Sequence, residues 1–417
     1  MKKILIISSE PLNPGNLLGS IFELEQAKAL RESYQVVILA VRDRGSLLLH
    51  LKRLIKTLTT MSFSIAKISG LVRDIKGSIR SIVGSKVFVS EFVIGGISVF
   101  ECQLHAIYSS KSFLDYLQSW AYAGRQGFLR YKDKFGLPNI VHAHGRFLSA
   151  GFLAQKMNEE YRIPFIYSEH SSFYHTGKAA VESKALLLDI MNRASVFIVV
   201  SPSLLNDIAI FLGRQVENAR IIPNLLDSYY LESVNARKFT ADRFEFITIG
   251  ALEPVKGMDI LIKAFSKRFG GNLKFALRIV GGGSQVHNLK VMVGELGLRD
   301  QIIFEGYKTK EAIRKLLDHA DVFISSSRYE TFGVAIIEAM AMGLPIIATK
   351  CGGPEFTVNE QIGILTNPND VDGLASAMKK MTEEIYNYDS KYISDYAQMK
   401  FGTETFLREM KSIYEGI

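Results

Sequence analysis

Two open α/β domains, each a parallel sheet with helices on both faces, are predicted by three observations. Short apolar runs alternate with helix-length segments along most of the chain, the pattern of a parallel sheet covered on both sides. That succession restarts after a charged, weakly apolar stretch, SYYLESVNARKFTADR. At 417 residues the chain is also long enough for two or three domains, each with its own core.

The elements follow in order. KILIISS reads as the first strand; its apolar run is too short for the core of a signal peptide. A loop with Pro11, Pro14, Gly15 and Gly19 leads to a helix through SIFELEQAKALRES and then to the strand QVVILAV. VFVSEFVIGGISVF, with Gly95-Gly96 at its centre, reads as a hairpin. DYLQSWAYAGRQGFLRYKDKF is a helix, IVHAHG a strand, FLSAGFLAQKMNEEY a helix and PFIYSEH a strand. ASVFIVVS, the short helix SLLNDIAIF and IIPNLLD close the first half. In the second half FEFITIGAL, FALRIV, QIIFEG, DVFISSS and LPIIAT are strands. MDILIKAF, FGVAIIEAMAM and VDGLASAMKKMTEEIYN are helices, with one more within DYAQMKFGTETFLREMKSIYEG. The expected boundaries are 1–232, 233–392 and a last helical piece at 393–417.

Composition narrows the class. With 47% hydrophobic and 22% charged residues the chain is globular. Cys102 and Cys351 offer neither a disulfide framework nor a metal cluster, and fit a reducing, cytoplasmic compartment. No apolar run reaches the roughly 18 residues of a spanning helix. The net charge of +8 is concentrated: residues 42–86 carry ten Lys or Arg against Asp43 and Asp74, an excess equal to that of the whole chain. Leu47, Leu48, Leu51, Leu54, Ile55 and Leu58 share one helical face, opposite Lys52, Arg53 and Lys56. Such a basic amphipathic insertion suits an anionic bilayer surface, or equally packs on its own domain with a solvated basic face. It lacks the interleaved aromatics of a nucleic-acid surface, so no nucleic-acid partner is expected.

The most telling segment is SSSRYETFGVAIIEAMAMGLPIIAT. A strand ending in small polar residues turns into a helix near Phe332, Gly333 and Val334, whose free N–H groups attract phosphate. Glu330 precedes that helix and Glu338 lies within it, at the carboxyl end of a strand where open α/β sheets bind ligands. A phosphate-seeking helix end with an acid on either side suits a nucleotide sugar. Lys256, in the loop after FEFITIG, reaches a diphosphate as a point charge; alone it is as often an ordinary solvated lysine. Gly281, Gly282 and Gly283 lack the spacing of a phosphate loop and read as a tight turn. Asp370 and Asp372 open a helix, where capping outweighs metal binding, so no catalytic metal and no cofactor are expected. His142 and His144 share one strand face, and His144, nearer the tip, is the better placed for chemistry. Glu169 and His170 form a second polar pair at the same level.

From Gly250 to Asp372 these motifs resemble the retaining GT-B glycosyltransferases of family 4, the group 1 glycosyltransferases. The resemblance rests on IGALEPVKG, RIVGGGS, FEGY, the spaced Glu330 and Glu338, GLPIIAT and CGGPE; HAHG, VVSPS and IIPNLLD extend it. It implies two Rossmann-like domains facing across a cleft, an acceptor side at 1–232 and a donor side at 233–392, with the C-terminal helix crossing back. It further implies Glu330, His144 and Lys256 as catalytic residues. Donor binding would fall to Gly19, Gly250, Gly306, Tyr307, Phe332, Gly333, Val334 and Glu338. One departure stands out: Gly250-Ala251-Leu252 lacks the arginine often found there, and Arg328 or a first-domain residue is the candidate replacement. The implied enzyme is a hexosyltransferase taking a nucleoside-diphosphate sugar and a lipid-linked or growing saccharide acceptor; its expected peripheral position on the inner face of a membrane rests on the basic insertion alone. A nucleotide-sugar epimerase and an inactive nucleotide-sugar-binding scaffold are the rivals.

Overall fold

The strands of the computed structural model form where β-branched and leucine-rich runs meet turn residues. The structure describes residues 1–9, 21–43, 87–104, 112–145, 147–175, 177, 182–231 and 243–417. Gly19, residues 44–86 of the expected basic insertion, and the boundary at 232/233 lie outside the described residues. The described chain divides into two units. One holds Met1–Ser171, Ala179–Ile198 and Ile413–Ile417; the other holds Ser172–Lys178 and Val199–Ser412.

In the first unit the elements are β1 (Lys3–Ser8), α1 (Ile21–Leu30), β2 (Gln35–Asp43), β3 (Phe88–Ile94), β4 (Ile97–Leu104), α2 (Phe113–Phe135), β5 (Ile140–Gly145), α3 (Ser149–Tyr161), β6 (Phe165–Glu169), α4 (Ser183–Arg193) and β7 (Val196–Val199). Their strands lie in the order β3-β4-β2-β1-β5-β6-β7. Pairing is parallel between β1 and β2, β1 and β5, β2 and β4, and β5 and β6. The β3–β4 hairpin is antiparallel and turns at Gly95-Gly96, as its sequence predicts. α2 begins where the Ser112 hydroxyl accepts from the Asp115 amide at 3.1 Å and ends at Gly136. Its buried Leu117, Trp120, Ala121, Gly124, Phe128 and Tyr131 recur at helical spacing and form one face. Because β1 runs outward to β2 on one side and β5 lies on the other, the β1/β5 boundary is a topological switch point. His142 and His144 stand there, opposite Ile6 and Ser8 in register.

In the second unit the elements are α5 (Pro202–Leu212), β8 (Ala219–Ile221), β9 (Phe244–Ile249), α6 (Met258–Phe269), β10 (Phe275–Val280), α7 (Val286–Glu295), β11 (Ile302–Gly306), α8 (Lys310–His319), β12 (Val322–Ser325), α9 (Val334–Ala341), β13 (Ile346–Thr349), α10 (Gly353–Thr357), β14 (Gly363–Thr366), α11 (Val371–Glu384), α12 (Ser390–Phe401) and α13 (Thr403–Glu415), the last passing into the first unit's segment at Ile413. Its six-stranded sheet runs β11-β10-β9-β12-β13-β14 with parallel pairing throughout. Phe246, Leu261, Phe265, Leu277, Leu374 and Met378 are fully buried together, so α6 and α11 cover one face of the sheet. Here the switch point falls between β9 and β12. Asp370 caps α11 by accepting from the Gly373 amide at 2.8 Å, the capping role its position predicts.

Several elements go beyond the sequence reading. α4, α7, α8, the five-residue α10 and the four-residue β14 were not anticipated. The closing stretch carries two helices, α12 and α13, broken at Gly402, in place of the single helix expected at the chain's end. Among the described residues no helix is long and apolar enough to cross a membrane.

Candidate active site

In the second unit the loop after β9 and the loop after β12 meet at the switch point. Pro254–Lys256 form a single 3-10 turn, closed at Gly257 with φ 61°. A Cβ on Gly257 would lie 2.1 Å from the Ser326 carbonyl oxygen, so only glycine lets the two loops touch. The Ser326 hydroxyl donates to the Lys256 carbonyl at 3.0 Å, and the Arg328 amide donates to the Val255 carbonyl at 2.7 Å. The consequence is direct contact between side chains: the Lys256 ammonium pairs with Glu330 Oε2, and the Ser327 hydroxyl donates to the same oxygen at 3.3 Å. Both charged groups remain partly exposed, at 26% and 17%. An ammonium and a carboxylate therefore stand side by side at the carboxyl edge of the sheet.

The backbone of Glu330 is clamped by CGGPE. Its amide donates to the Cys351 carbonyl at 3.0 Å, and its carbonyl accepts from Gly353 at 2.7 Å. A Cβ on Gly353 would fall 2.4 Å from Phe332 Cα, which explains a glycine there. Past the clamp, Gly333 at φ 93° is the N-cap of α9 and no side chain caps that end. The first N–H groups of α9 are thus left for an anion. Phe332 is buried against Phe401, rings 5.6 Å apart, so its side chain anchors the turn and only its backbone is available to a ligand.

Arg328 does not serve as a spare cation. Its guanidinium forks onto Asp259 at 3.0 and 2.8 Å, and its Nε donates to Asn369 Oδ1 at 2.7 Å. The charge is already neutralised, so Arg328 braces the loop and does not replace the arginine missing at Ala251. Gly281 (φ 130°) completes the neighbouring turn; a Cβ there would lie 2.0 Å from the Gly250 carbonyl. The glycine run is a packing device, as its spacing predicts. Gly250 and Gly306 leave open space where a side chain would point, and Tyr307 is 53% exposed with its ring over Gly282.

Glu338 sits apart from this pair. Burial pushes its carboxyl pKa up to about 8, Asp227 adds to the rise, and Lys310 opposes it. Asp227 itself is ion-paired with Lys310, whose ammonium lies 4.9 Å from the Tyr229 ring centroid. Sequence reasoning missed Asp227 as a charge partner, although IIPNLLD contained it, and missed Lys310 altogether. It also missed the support of Tyr329, the residue before Glu330. Tyr329 Oη donates to Asp207 Oδ2 at 2.5 Å, and the His175 ring stacks on Tyr329 at 3.8 Å.

The first unit gathers three histidines. His142 and His144 are both 1% exposed, with rings 4.2 Å apart. His142 Nδ1 is 2.8 Å from Tyr414 Oη, and its Nε2 is 2.8 Å from Ser168 Oγ. His144 Nδ1 faces His170 Nε2 at 3.1 Å, while its own Nε2 is buried with no partner among the described residues. Burial and the neighbouring imidazoles hold His144 well below the usual histidine range, and lower His142 to about 3. These rings are neutral at physiological pH. A neutral imidazole with one open nitrogen is suited to exchange a hydrogen bond with a hydroxyl.

Two family models match the chain: Glycosyl transferases group 1 over residues 232–398, and Glycosyltransferase Family 4 over residues 95–228. The gpi3 subunit of phosphatidylinositol N-acetylglucosaminyltransferase from Schizosaccharomyces pombe is 24% identical over 78% of this chain and 67% of its own. Mannosylfructose-phosphate synthase from Agrobacterium fabrum is 25% identical over 69% and 71%. The solved structure of HepE from Anabaena in complex with UDP-glucose shares the fold with a TM-score of 0.70, at 18% identity over 100% of both chains.

Proposed function

The chain belongs to the group 1 glycosyltransferases and has their GT-B fold, and from that premise we propose that it is a retaining, metal-independent hexosyltransferase using a nucleoside-diphosphate sugar. The observation that carries the reading is the Lys256–Glu330 pair at the β9/β12 switch point, beside the uncapped start of α9. Lys256 and the amides at Phe332, Gly333 and Val334 hold the diphosphate. Glu330 accepts from sugar hydroxyls near the reacting carbon. Glu338 binds the ribose, and the backbone at Gly250, Gly306 and Tyr307 lines the nucleotide. Gly19, outside the described residues, belongs to the donor-binding set of this reading, and the open Nε2 of His144 bonds a sugar hydroxyl.

The acceptor oxygen attacks the anomeric carbon on the face that the diphosphate leaves. The bond from the anomeric carbon to phosphate oxygen breaks, the new glycosidic bond forms, and the acceptor proton passes to the departing oxygen. Glu330 organises the sugar and forms no covalent bond to it. Lys256 and the helix amides stabilise the charge that develops on the leaving group. No metal enters the step, so chelation by EDTA leaves turnover unchanged.

The acceptor is a lipid-linked or growing saccharide in cell-surface polysaccharide or glycolipid synthesis. Support comes from the S. pombe relative, a phosphatidylinositol N-acetylglucosaminyltransferase subunit, and from the charge pattern of residues 42–86, which suits a peripheral position on an anionic inner membrane face. In this reading the acceptor side is 1–232 and the donor side 233–392. The deciding experiment is diphosphate release across a panel of donors with and without saccharide acceptors, with the product anomer assigned by NMR. An inverted anomer refutes retention. Release that ignores every acceptor refutes transfer.

A further inference from the structure

His142 has both ring nitrogens occupied, by Tyr414 Oη on one side and Ser168 Oγ on the other, each at 2.8 Å. Tyr414 is fully buried; its edge meets the Tyr34 ring at 5.2 Å, and its carbonyl accepts from Lys2 Nζ at 2.8 Å. The last turn of α13 is thereby tied into the first unit around the histidines. A buried phenol keeps its proton and needs an acceptor for it. Nδ1 of His142 is the acceptor in reach, which puts the ring proton on Nε2, facing Ser168. An imidazole bound at both ends cannot turn without breaking two hydrogen bonds.

His144 lies two residues on along β5, on the same sheet face. Its ring rests 4.2 Å from that of His142, with His170 at 5.4 Å and Phe22 at 6.1 Å around it. The fixed ring of His142 therefore forms one wall against which His144 is oriented, leaving Nε2 of His144 as the open nitrogen. We infer that Tyr414 is a positioning residue for His144, acting through the doubly hydrogen-bonded ring of His142. The inference rests on the reading that His144 bonds the donor sugar. It makes the end of the chain a working part of the first unit's site, a role that nothing in the local sequence around Tyr414 announces.

The test compares Tyr414→Phe, Ser168→Ala, Tyr34→Phe and His144→Ala in the full chain. It reads kcat, donor KM and the ¹⁵N resonances of selectively labelled histidines. Tyr414→Phe is expected to lower kcat about tenfold while donor KM stays within about twofold, because misorientation acts on the reacting geometry. The ¹⁵N signature of His142 should change from one fixed tautomer to an exchanging pair. Ser168→Ala should do the same from the other side of the ring. Tyr34→Phe, which keeps the packing partner of Tyr414, should do neither. A wild-type kcat in Tyr414→Phe, or a lowered kcat with the His142 tautomer unmoved, overturns the inference. So does equal damage from Tyr34→Phe. If Tyr414→Phe does not fold by circular dichroism, Ser168→Ala decides on the same two readouts. His144→Ala separates the two levels: its full activity overturns the role of His144 and this inference together. An inactive His144→Ala beside a silent Tyr414→Phe removes only the positioning role.

Discussion

The two units organise polar residues at their switch points in opposite ways. The second unit uses charge: Lys256 against Glu330 and Arg328 against Asp259. The first unit uses imidazole rings and hydroxyls: His142 with Tyr414 and Ser168, His144 with His170. A diphosphate needs cations and amides, whereas a neutral imidazole exchanges a hydrogen bond with a hydroxyl and brings no net charge. The contrast thus matches two different chemistries, one for a charged group and one for a hydroxyl. It also gives the units opposite responses to mutation and to pH.

The largest effect is expected at the charged pair. Glu330→Gln keeps the shape but removes the charge partner of Lys256, and kcat should fall by about a hundredfold to a thousandfold, the scale of losing one preorganised electrostatic contact. Steady-state kinetics on Lys256→Ala and on the double variant should show strong non-additivity, because the two groups touch. Additive losses would mean that the pair is a surface ion pair with no shared task.

Next comes Glu338. Its folded pKa of about 8 lies above the ordinary 4.5, so the folded state holds an extra proton across that window. Stability should therefore fall as pH rises from 4.5 to 8 and stay level above. Glu338→Gln removes that penalty, and the melting temperature at pH 9 should rise by about 2 °C. At pH 9, where the carboxyl is ionised, donor affinity should weaken about tenfold as a charged acceptor is lost. Calorimetric melting and nucleotide titration check both signs. A variant that melts lower at pH 9 would show that the carboxylate is well solvated or paired, and the comparison of the units would lose one of its legs.

A smaller effect is expected from Arg328→Lys. The ammonium keeps the charge balance with Asp259 but cannot fork onto both carboxylate oxygens or reach Asn369 at the same time. Loosening the loop that carries Glu330 should lower kcat about threefold to fivefold with little change in donor KM. An effect as large as that of Glu330→Gln would show that Arg328 acts on the leaving group after all.

The contrast also explains what the sequence disclosed. The strands β1 to β7 and β9 to β13 and the Gly95-Gly96 hairpin are visible because apolar runs end at turn residues. Lys256, Glu330 and Glu338 are visible because their loops and helix start are contiguous in sequence, so local chemistry and local structure coincide. α8 carried a readable signal, Thr309 capping the Ala312 amide at 3.3 Å, that the strand-and-helix pattern overshadowed. α10 and β14 are too short for periodicity to register. The pairing of His142 with Tyr414 joins residues 272 positions apart. No spacing rule connects them, since the sheet and the last helical turn must both form before the two side chains meet. Tyr329 with Asp207, and Glu338 with Asp227, were hidden for the same reason.

The subtlest expected difference lies in acid stability. His142 is lowered to about 3 from an ordinary 6.5, so the folded state binds fewer protons than the unfolded chain in that window. The stability this contributes is complete above 6.5 and is lost as pH falls toward 3, the reverse of the Glu338 trend. The chain has one tryptophan, Trp120, buried in α2 of the first unit, so its emission reports on that unit alone. Acidification should shift Trp120 emission to longer wavelength, and His142→Gln should move the midpoint down by about 0.5 pH unit, because an amide has no proton to gain. Neighbouring His144, also held well below the usual range, keeps part of the acid sensitivity in place, which is why the shift is modest. An unchanged midpoint would mean that carboxylate protonation governs the acid transition, and that the buried His142 and His144 add nothing to what separates the two units.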